Sequence, residues 1–265
     1  MLIFDRFLAR IVREFTDTVV LKGGLALELR LKRARTTKDV DLRMAGSNEA
    51  LLSRLQAAGR LDLGDFLSFE IGLNTDHPEI RDAIYEGFRF KSTCLLAGKR
   101  YADFGIDIGF GDPMFATPDE ITAPDLPDFI GAAPPCVKVY PPETHLAEKL
   151  HAYTLPRDGV NMRIKDLPDL PLLGQVRRYQ SDNLRAAFAK TFEFRKSHSV
   201  PTSLPSPPES WAVPYAKIAH DDGLPWSTLT EVIDMARRFL DPVLEHDQPL
   251  VWSPLDWEWS PADAM

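Results

Sequence analysis

Two aspartates, Asp39 and Asp41, alternate with Val40 and Leu42 in one short segment of the chain. Such alternation is typical of a β-strand, so both carboxylates leave the same face, with Cα atoms roughly 6–7 Å apart. Carboxylates at this spacing can share divalent ions, and their hard oxygens favour magnesium. Two such ions can bridge phosphate oxygens and an attacking hydroxyl in an in-line displacement. Because Asp-x-Asp is also common at exposed strand ends, the pair alone does not decide the function.

Two adjacent glycines, Gly23 and Gly24, precede this segment. They follow residues 19–21, which have the apolar pattern of a buried strand, and they precede a helix with leucines on one side. Glycines at such a turn permit unusual backbone angles or the close approach of another group. The free amides at the start of a helix can hold phosphate. The turn therefore favours phosphate chemistry at the aspartate pair.

A third carboxylate, Asp107, lies in an alternating segment over residues 101–110. The alternation puts Ile106 and Ile108 on one face of a strand and Asp107 on the other, between Gly105 and Gly109. Glycines beside the carboxylate leave room for a metal or a substrate. The alternative is a solvent-facing aspartate on an edge strand.

Lys149 and Asp166 lie further along the chain. Pro142 marks a helix start, and Lys149 lies at the edge of that helix's apolar stripe, where its ammonium could reach a triphosphate. Asp166 comes after a turn over residues 156–159. On their own both residues are ordinary, since a lysine on a helix is usually only solvated.

The elements that must position these residues follow from the periodicity of the sequence. We predict helices over residues 2–15, 24–33 and 48–58, the last capped by Ser47, and strands over 19–21, 39–43, 66–73, 88–95 and 101–110. Residues 96–99 form a hairpin turn. After a proline-rich stretch over 124–142, helices follow over 143–153, 164–173, 182–195 and 228–240, with a loop over 201–208.

These motifs resemble the DNA polymerase β-like nucleotidyltransferase superfamily, in which a glycine pair and a helix precede an Asp-x-Asp strand. More narrowly, the chain resembles the AbiEii/AbiGii toxin family, which includes the MenT-type toxins. This narrower resemblance rests on residues 21–27, 35–42, 106–112, 142–153 and 163–170. It covers the chain from about residue 19 to residue 170 and leaves the last third outside the matched motifs.

The resemblance implies an α+β fold, with a mixed sheet flanked by helices and a mostly helical C-terminal half. We expect a nucleotidyltransferase core over residues 1–130 and a C-terminal domain over 131–265 that contributes Lys149 and Asp166. Pro168 stands where an aromatic residue is more usual in the family, which leaves the pose of Asp169 open.

The resemblance also implies roles for individual residues. Asp39 and Asp41 would bind metal, and Asp107 would complete the metal site and help to deprotonate the acceptor hydroxyl. Gly23, Gly24 and Thr37 would hold phosphates, Lys149 would neutralise the triphosphate, and Asp166 would orient the nucleotide or the acceptor.

The implied activity is nucleotide transfer from a nucleoside triphosphate, with Mg²⁺ as cofactor and Mn²⁺ as the alternative ion. The implied biology is the toxin of a bacterial toxin-antitoxin or phage-defence pair, with a cognate antitoxin as partner. For MenT-type relatives the acceptor is the tRNA 3′ end, and modifying it blocks translation. The alternatives are transfer to a protein or small molecule, and a silent module that binds nucleotide or sequesters an antitoxin. The three carboxylates speak against the silent module.

The composition agrees with a cytoplasmic enzyme without a membrane partner. The chain has 265 residues, of which 44% are hydrophobic, enough for a sizeable core. Cys94 and Cys136 have neither metal-site spacing nor a disulfide framework. No apolar run approaches a membrane span, and the first residues lack a secretory pattern.

The formal net charge of -8 argues against indiscriminate nucleic-acid binding. Two sets of cations could still steer a polyanion locally: Arg30, Lys32, Arg33, Arg35, Lys38 and Arg43, and Arg177, Arg178, Arg185, Lys190, Arg195 and Lys196. The alternative for the second set is a solvated helix surface. Trp252, Trp257 and Trp259 near the end of the chain either stack on bases or pack back onto the helical half, and packing is favoured.

Overall fold

The structure, a computed structural model, describes residues 2–31, 37–46, 49–75, 87–111, 113–123, 133–157 and 163–262. The chain divides into two compact units. The first holds the helices and strands up to Tyr140, and the second holds those from Pro141 onwards together with Pro113–Thr117. Among the described residues, no helix is both long enough and apolar enough to cross a membrane.

In its described residues, the first unit is a mixed seven-stranded sheet with three α-helices. The helices are α1 (Leu2–Phe15), α2 (Gly23–Arg30) and α3 (Leu51–Gly59). The strands are β1 (Val19–Lys22), β2 (Asp39–Met44), β3 (Leu67–Leu73), β4 (Gly87–Leu96), β5 (Lys99–Phe110), β6 (Asp119–Thr122) and β7 (Cys136–Val139). They lie in the order β3-β4-β5-β2-β1-β7-β6, with parallel pairing only between β1 and β7 and between β2 and β5. The predicted α+β fold class is confirmed.

Alternation along β2 and β5 separates a core face of the sheet from a polar face. Val40, Leu42, Ile106 and Ile108 are buried in one apolar cluster with side chains from α1 and α3, including Phe7. Asp39, Asp41 and Asp107 alternate with these core residues and therefore leave the opposite face. Burial of the apolar residues thus fixes the direction of the carboxylates, since a slip of one residue would put them in the core.

Several elements of this unit differ from the sequence-based expectation. Helix α3 begins at Leu51 instead of residue 48, after Ala50 in the left-handed conformation (φ 56°). The predicted cap, Ser47, lies outside the described residues. Strands β6 and β7 were not predicted, because each is only four residues long and β7 lies within the proline-rich stretch over 124–142. Strand β7 nevertheless extends the sheet, and Tyr140 after it donates a backbone hydrogen bond to Leu21 (2.9 Å).

The hairpin between β4 and β5 turns over Ala97 and Gly98, the two central residues of the predicted turn over residues 96–99. Both have positive φ (48° and 79°), which suits the right-handed twist of the strands. Below the turn the register shifts, because Leu95 pairs with Arg100 whereas Cys94 pairs with Ala102. Tyr101 is therefore the extra residue of a β-bulge.

The second unit is mostly helical, as predicted. Its helices are α4 (Pro142–Thr154), α5 (Asp166–Gly174), α6 (Ser181–Arg195), α7 (Ala212–Asp222) and α8 (Leu229–Glu245). Three short strands, β8 (Tyr179–Gln180), β9 (Leu250–Ser253) and β10 (Glu258–Pro261), form a small sheet in the order β10-β9-β8. Helix α7 and this sheet were not predicted. Residues 201–208 contain no helix or strand, as expected from their prolines.

The C-terminal tryptophans pack against the helices of their own unit. Trp252 is fully buried and donates from Nε1 to the backbone oxygen of Gly174 (2.8 Å). Trp259 donates from Nε1 to the backbone oxygen of Phe239 (2.8 Å) and stacks on its ring. The prediction that this segment packs back onto the helical half is confirmed.

Candidate active site

The three predicted carboxylates of the first unit share one face at the centre of the sheet. In the parallel β2–β5 pair, Asp41 lies directly opposite Asp107, and Asp39 lies opposite Gly105. Neighbouring strands are about 4.8 Å apart, so the Asp41 and Asp107 side chains leave the sheet side by side. The structure therefore brings Asp39, Asp41 and Asp107 together.

Two glycines make room for the aspartate pair. A Cβ atom at Gly23 would lie 1.9 Å from Asp41 Oδ2, and one at Gly105 would lie 2.4 Å from Asp39 Oδ1. Gly23 also has a φ of +68°, which L side chains rarely adopt. The sequence predicted a close approach at the glycine turn, and the group that approaches Gly23 is the carboxylate of Asp41.

Thr37 lies at the entrance to β2. Its backbone amide donates to Glu28 Oε1 of α2 (2.6 Å). Its hydroxyl accepts from the Asp39 amide (3.4 Å) and donates to the Asp39 carbonyl (3.3 Å). These bonds tie the start of β2 to α2, and the phosphate-binding role of Thr37 stays a prediction, as does that of Gly23 and Gly24.

Arg89 of β4 is a member of this site that the sequence did not reveal. It lies opposite Asp107 in the β4–β5 register. Its Nε donates to Asp107 Oδ1 (2.8 Å) and its Nη2 donates to Oδ2 (2.8 Å). Hydrogen bonding to Asp107 raises the pKa of Arg89, and the charges of Asp107, Asp39 and Asp41 raise it further against the opposing effect of burial. The guanidinium therefore lies in the field of all three carboxylates.

A polar cleft of about 620 Å³ opens beside these residues on the same face of the first unit. Asp39, Gly105, Asp107 and Arg89 line it, and so do the cations Lys38, Lys91 and Arg100. Its volume falls in the range that small-molecule sites usually have. The cleft thus brings four cations and three carboxylates together, since Asp103 lines it as well.

The aspartate pair suits a divalent cation, since its donors are hard oxygens and a glycine leaves space at each carboxylate. The third carboxylate is engaged differently, because both oxygens of Asp107 accept from Arg89. Accordingly, no three acidic, histidine or cysteine side chains in the described part of the chain are disposed to hold a metal. Asp107 as a metal ligand stays a prediction.

In the second unit, Lys149 of α4 joins two aspartates of α5. Its Nζ lies 2.7 Å from Asp166 Oδ1 and 2.8 Å from Asp169 Oδ2. The side chains are 13%, 7% and 0% exposed, respectively, so this is a buried ion cluster. Pro168 is accommodated in the first turn of α5, where its missing N–H is not needed. The sequence did not determine the orientation of Asp169, and in the structure its carboxylate contacts the Lys149 ammonium.

We expect Lys149→Met to lower stability as well as transfer. Removing the ammonium takes the nearest cation away from the two buried carboxylates of Asp166 and Asp169, which costs about 3–5 kcal/mol. Adding Asp169→Asn should restore most of the melting temperature, followed by circular dichroism, but not the transfer rate. If the double variant regains transfer with stability, Lys149 has only a structural role.

Helix α4 is anchored by a buried histidine two residues beyond Lys149. His151 Nε2 lies 2.7 Å from the Ser197 hydroxyl, and His151 Nδ1 lies 3.3 Å from Arg195 Nη1. Burial lowers the pKa of His151 from 6.5 to about 3, with smaller contributions from Arg195 and His198. The folded protein therefore keeps the ring neutral at pH values where the unfolded chain protonates it.

Stability should consequently fall as the pH drops from 6.5 towards 3, because only the unfolded state takes up this proton. We expect the melting temperature of His151→Phe to depend less on pH in this window than that of the wild type. His220→Gln provides the control, since His220 is exposed. An equal slope in wild type and His151→Phe would contradict the assignment, although the lowered pKa of His198 leaves some slope in both.

The two predicted sets of cations differ in their surroundings. In the first set, Lys38 lines the cleft, whereas Lys32, Arg33 and Arg35 lie outside the described residues. In the second set, three members form ion pairs within the second unit: Arg177 with Glu143, Arg185 with Asp182, and Arg195 with Glu148. These pairs favour the structural interpretation of the second set.

A glycine turn into a helix, followed by same-facing aspartates at the centre of a mixed sheet, defines the class: the chain is a nucleotidyltransferase. It belongs to the AbiEii family, since the family model "Nucleotidyl transferase AbiEii toxin, Type IV TA system" matches residues 6–244. The predicted family is thus confirmed. No curated protein matches the chain by sequence.

One solved structure agrees with this membership at the level of the fold. MenT4, nucleotidyltransferase toxin Rv2826c from Mycobacterium tuberculosis H37Rv, is similar with a TM-score of 0.59 at 14% identity, over 96% of this chain and 85% of that one. JHP933 from Helicobacter pylori gives a TM-score of 0.44 at 17% identity, over 75% and 82%. A putative nucleotidyltransferase from H. pylori gives 0.46 at 15%, over 92% of each chain. Only the first similarity is strong enough to support the fold.

Proposed function

We propose that this toxin transfers nucleotides from a nucleoside triphosphate to the 3′ end of tRNA in a Mg²⁺-dependent reaction, and so blocks translation in the bacterial cytoplasm. Mn²⁺ is the alternative ion. The observation that carries the proposal is the aspartate pair on β2, whose two carboxylates each face a glycine in place of a side chain. A toxin-antitoxin or phage-defence setting, with a cognate antitoxin as partner, follows from the family.

In the proposed reaction the acceptor hydroxyl oxygen forms a bond to the α-phosphorus, and the bond from that phosphorus to the β-phosphate oxygen breaks. Pyrophosphate leaves, and the hydroxyl proton passes to a carboxylate of the site or to water. The bound ion supplies positive charge to the phosphate oxygens. Asp39 and Asp41 hold that ion, and their placement on a central strand keeps them in position before the nucleotide arrives.

The remaining predicted residues complete the proposal. Gly23 and Gly24 hold phosphates at the start of α2, where backbone amides are available, and Thr37 holds phosphate just before β2. Lys149 neutralises triphosphate charge, and Asp166, to which it is bonded, orients nucleotide or acceptor. Asp166 and Asp169 hold the Lys149 ammonium in place, so Lys149 is not an ordinary solvated lysine.

The cleft supports a polyanionic acceptor more than a neutral one. Lys38 and Lys91 line it, besides Arg100 with its partner Asp103, although the chain has a net charge of -8. Local cations in an acidic protein concentrate a polyanion at one place on the surface. Transfer to a protein side chain or a small molecule is the second candidate, and a silent binding module is the third.

Label transfer separates the three candidates. The purified chain is incubated with each of the four nucleoside triphosphates, labelled at the α-phosphate, together with total cellular RNA and Mg²⁺. We expect label in RNA of tRNA size. Label in protein or in a small molecule supports the second candidate, and no label with any triphosphate supports the silent module.

A further inference from the structure

Arg89 is held in a geometry that presents part of its guanidinium to the cleft. Asp107 accepts from Nε and Nη2, both at 2.8 Å. This fork fixes the plane of the guanidinium and leaves Nη1, on the far side, for another acceptor. The Arg89 side chain is 36% exposed and lines the cleft, so an anion in the cleft can reach it.

The charges around Arg89 favour an oxyanion at that place. A triphosphate entering the site meets three carboxylates, Asp39, Asp41 and Asp107, all close enough to raise the pKa of Arg89. A permanently charged guanidinium on the same face offsets their repulsion, and its planar fork matches phosphate oxygens. Asp107, with both oxygens engaged, is better placed to hold the arginine than to hold a metal.

We infer that Arg89 is a phosphate-binding residue of the transfer site, and that Asp107 is its positioning residue and not a third metal ligand. The inference rests on the proposed nucleotide transfer. It gives the three carboxylates two roles. Asp39 and Asp41 hold the metal ion, and Asp107 orients the guanidinium of Arg89.

Charge-matched variants test this division. Arg89→Gln/Asp107→Asn replaces an ion pair by a neutral pair, so the net charge of the site stays that of the wild type. Binding of Mn²⁺ to the nucleotide-free proteins is measured by electron paramagnetic resonance, with Asp41→Asn as the reference for loss of a metal ligand. Circular dichroism confirms that each variant is folded.

We expect the double variant to bind Mn²⁺ within about threefold of the wild type, and Asp41→Asn to bind it at least about tenfold more weakly. If the double variant loses as much affinity as Asp41→Asn, Asp107 is a metal ligand and the inference is overturned. Because the double variant conserves net charge, a change in long-range electrostatics cannot produce that loss.

Inorganic triphosphate tests the phosphate contact without metal. In EDTA at low ionic strength, calorimetric titration should show about tenfold or greater loss of affinity for Arg89→Gln, as expected for a charge-assisted hydrogen bond. Arg89→Lys keeps the charge but not the planar fork, so it should lose part of the affinity for triphosphate. Affinity equal to the wild type in Arg89→Gln would overturn the inference.

The positioning role of Asp107 has its own test. If Asp107 acts through Arg89, adding Asp107→Asn to Arg89→Gln should cause little further loss of kcat, whereas independent roles would give additive losses. Failure of the proposed function is distinguishable, because a wild type that transfers no label can still show the Arg89-dependent binding of triphosphate.

Discussion

Replacement of Asp41 by asparagine is expected to reduce nucleotide transfer by about 10³-fold or more, or about 4 kcal/mol in the activation free energy. Asp41 lies between Gly23 on one side and Asp107 on the other, so its carboxylate is central to the charge of the site. Asparagine keeps the size of the side chain but not the charge that holds a divalent ion. Initial rates at saturating Mg²⁺ measure the effect.

The melting temperature of Asp41→Asn should equal or exceed that of the metal-free wild type, since one of three crowded like charges is removed. Asp103→Asn is the matched control, because Asp103 also lies on β5 beside the cleft but is paired with Arg100. We expect it to retain transfer. Unchanged transfer by Asp41→Asn would reject the metal assignment, and a large fall in its melting temperature would attribute the loss to unfolding.

Replacement of Gly23 by alanine is expected to reduce transfer by about 10²-fold, because displacement of a reacting group by about 1 Å has effects of this size. The new Cβ would lie 1.9 Å from Asp41 Oδ2, so the carboxylate must move. Alanine at φ +68° is also strained, which by itself costs about 1–2 kcal/mol.

Gly64→Ala separates these two effects. Gly64 has nearly the same φ, +72°, but a Cβ there would meet nothing within 4 Å. Both variants should therefore lose stability from backbone strain, measured by chemical denaturation, and only Gly23→Ala should lose transfer. Equal transfer by the two variants would mean that the Asp41 carboxylate tolerates displacement and is not held in place for catalysis.

The sequence was sufficient to place the three carboxylates on one face. Val40, Leu42, Ile106 and Ile108 must enter the core, and a strand permits this in one register only, so the alternating aspartates emerge together. Gly23 was also predictable as a point of close approach. Local alternation is a strong signal because each residue's direction depends only on its neighbours in the chain.

The pairing of Arg89 with Asp107 was not predictable in the same way. Alternation with Phe88 and Phe90 turns Arg89 away from the core, but a two-residue turn at Ala97 and Gly98 without a bulge would align it with Ile106. The extra residue Tyr101 shifts the register by one and places Arg89 opposite Asp107 instead. No composition signal marks this bulge.

The same limit applies to contacts between segments that are distant in sequence. Lys149 was a candidate from its position on α4, but its bonds to Asp166 and Asp169 depend on how α4 and α5 pack. Strands as short as β6 and β7 depend on the sheet that they join, because four residues have little preference of their own.

The parallel pairing of β2 with β5 determines when this toxin can become active during its synthesis. More than sixty residues separate Asp41 from its partner Asp107, and the separation between the paired residues of β1 and β7 is larger still. Parallel pairing across such separations is slow, since the loop must close before its contacts form. A nascent chain that has not yet extended past β5 can pair β1 with β2, but it lacks the strand that places Asp107 beside Asp41. The three carboxylates can therefore come together only after β5 has been synthesised.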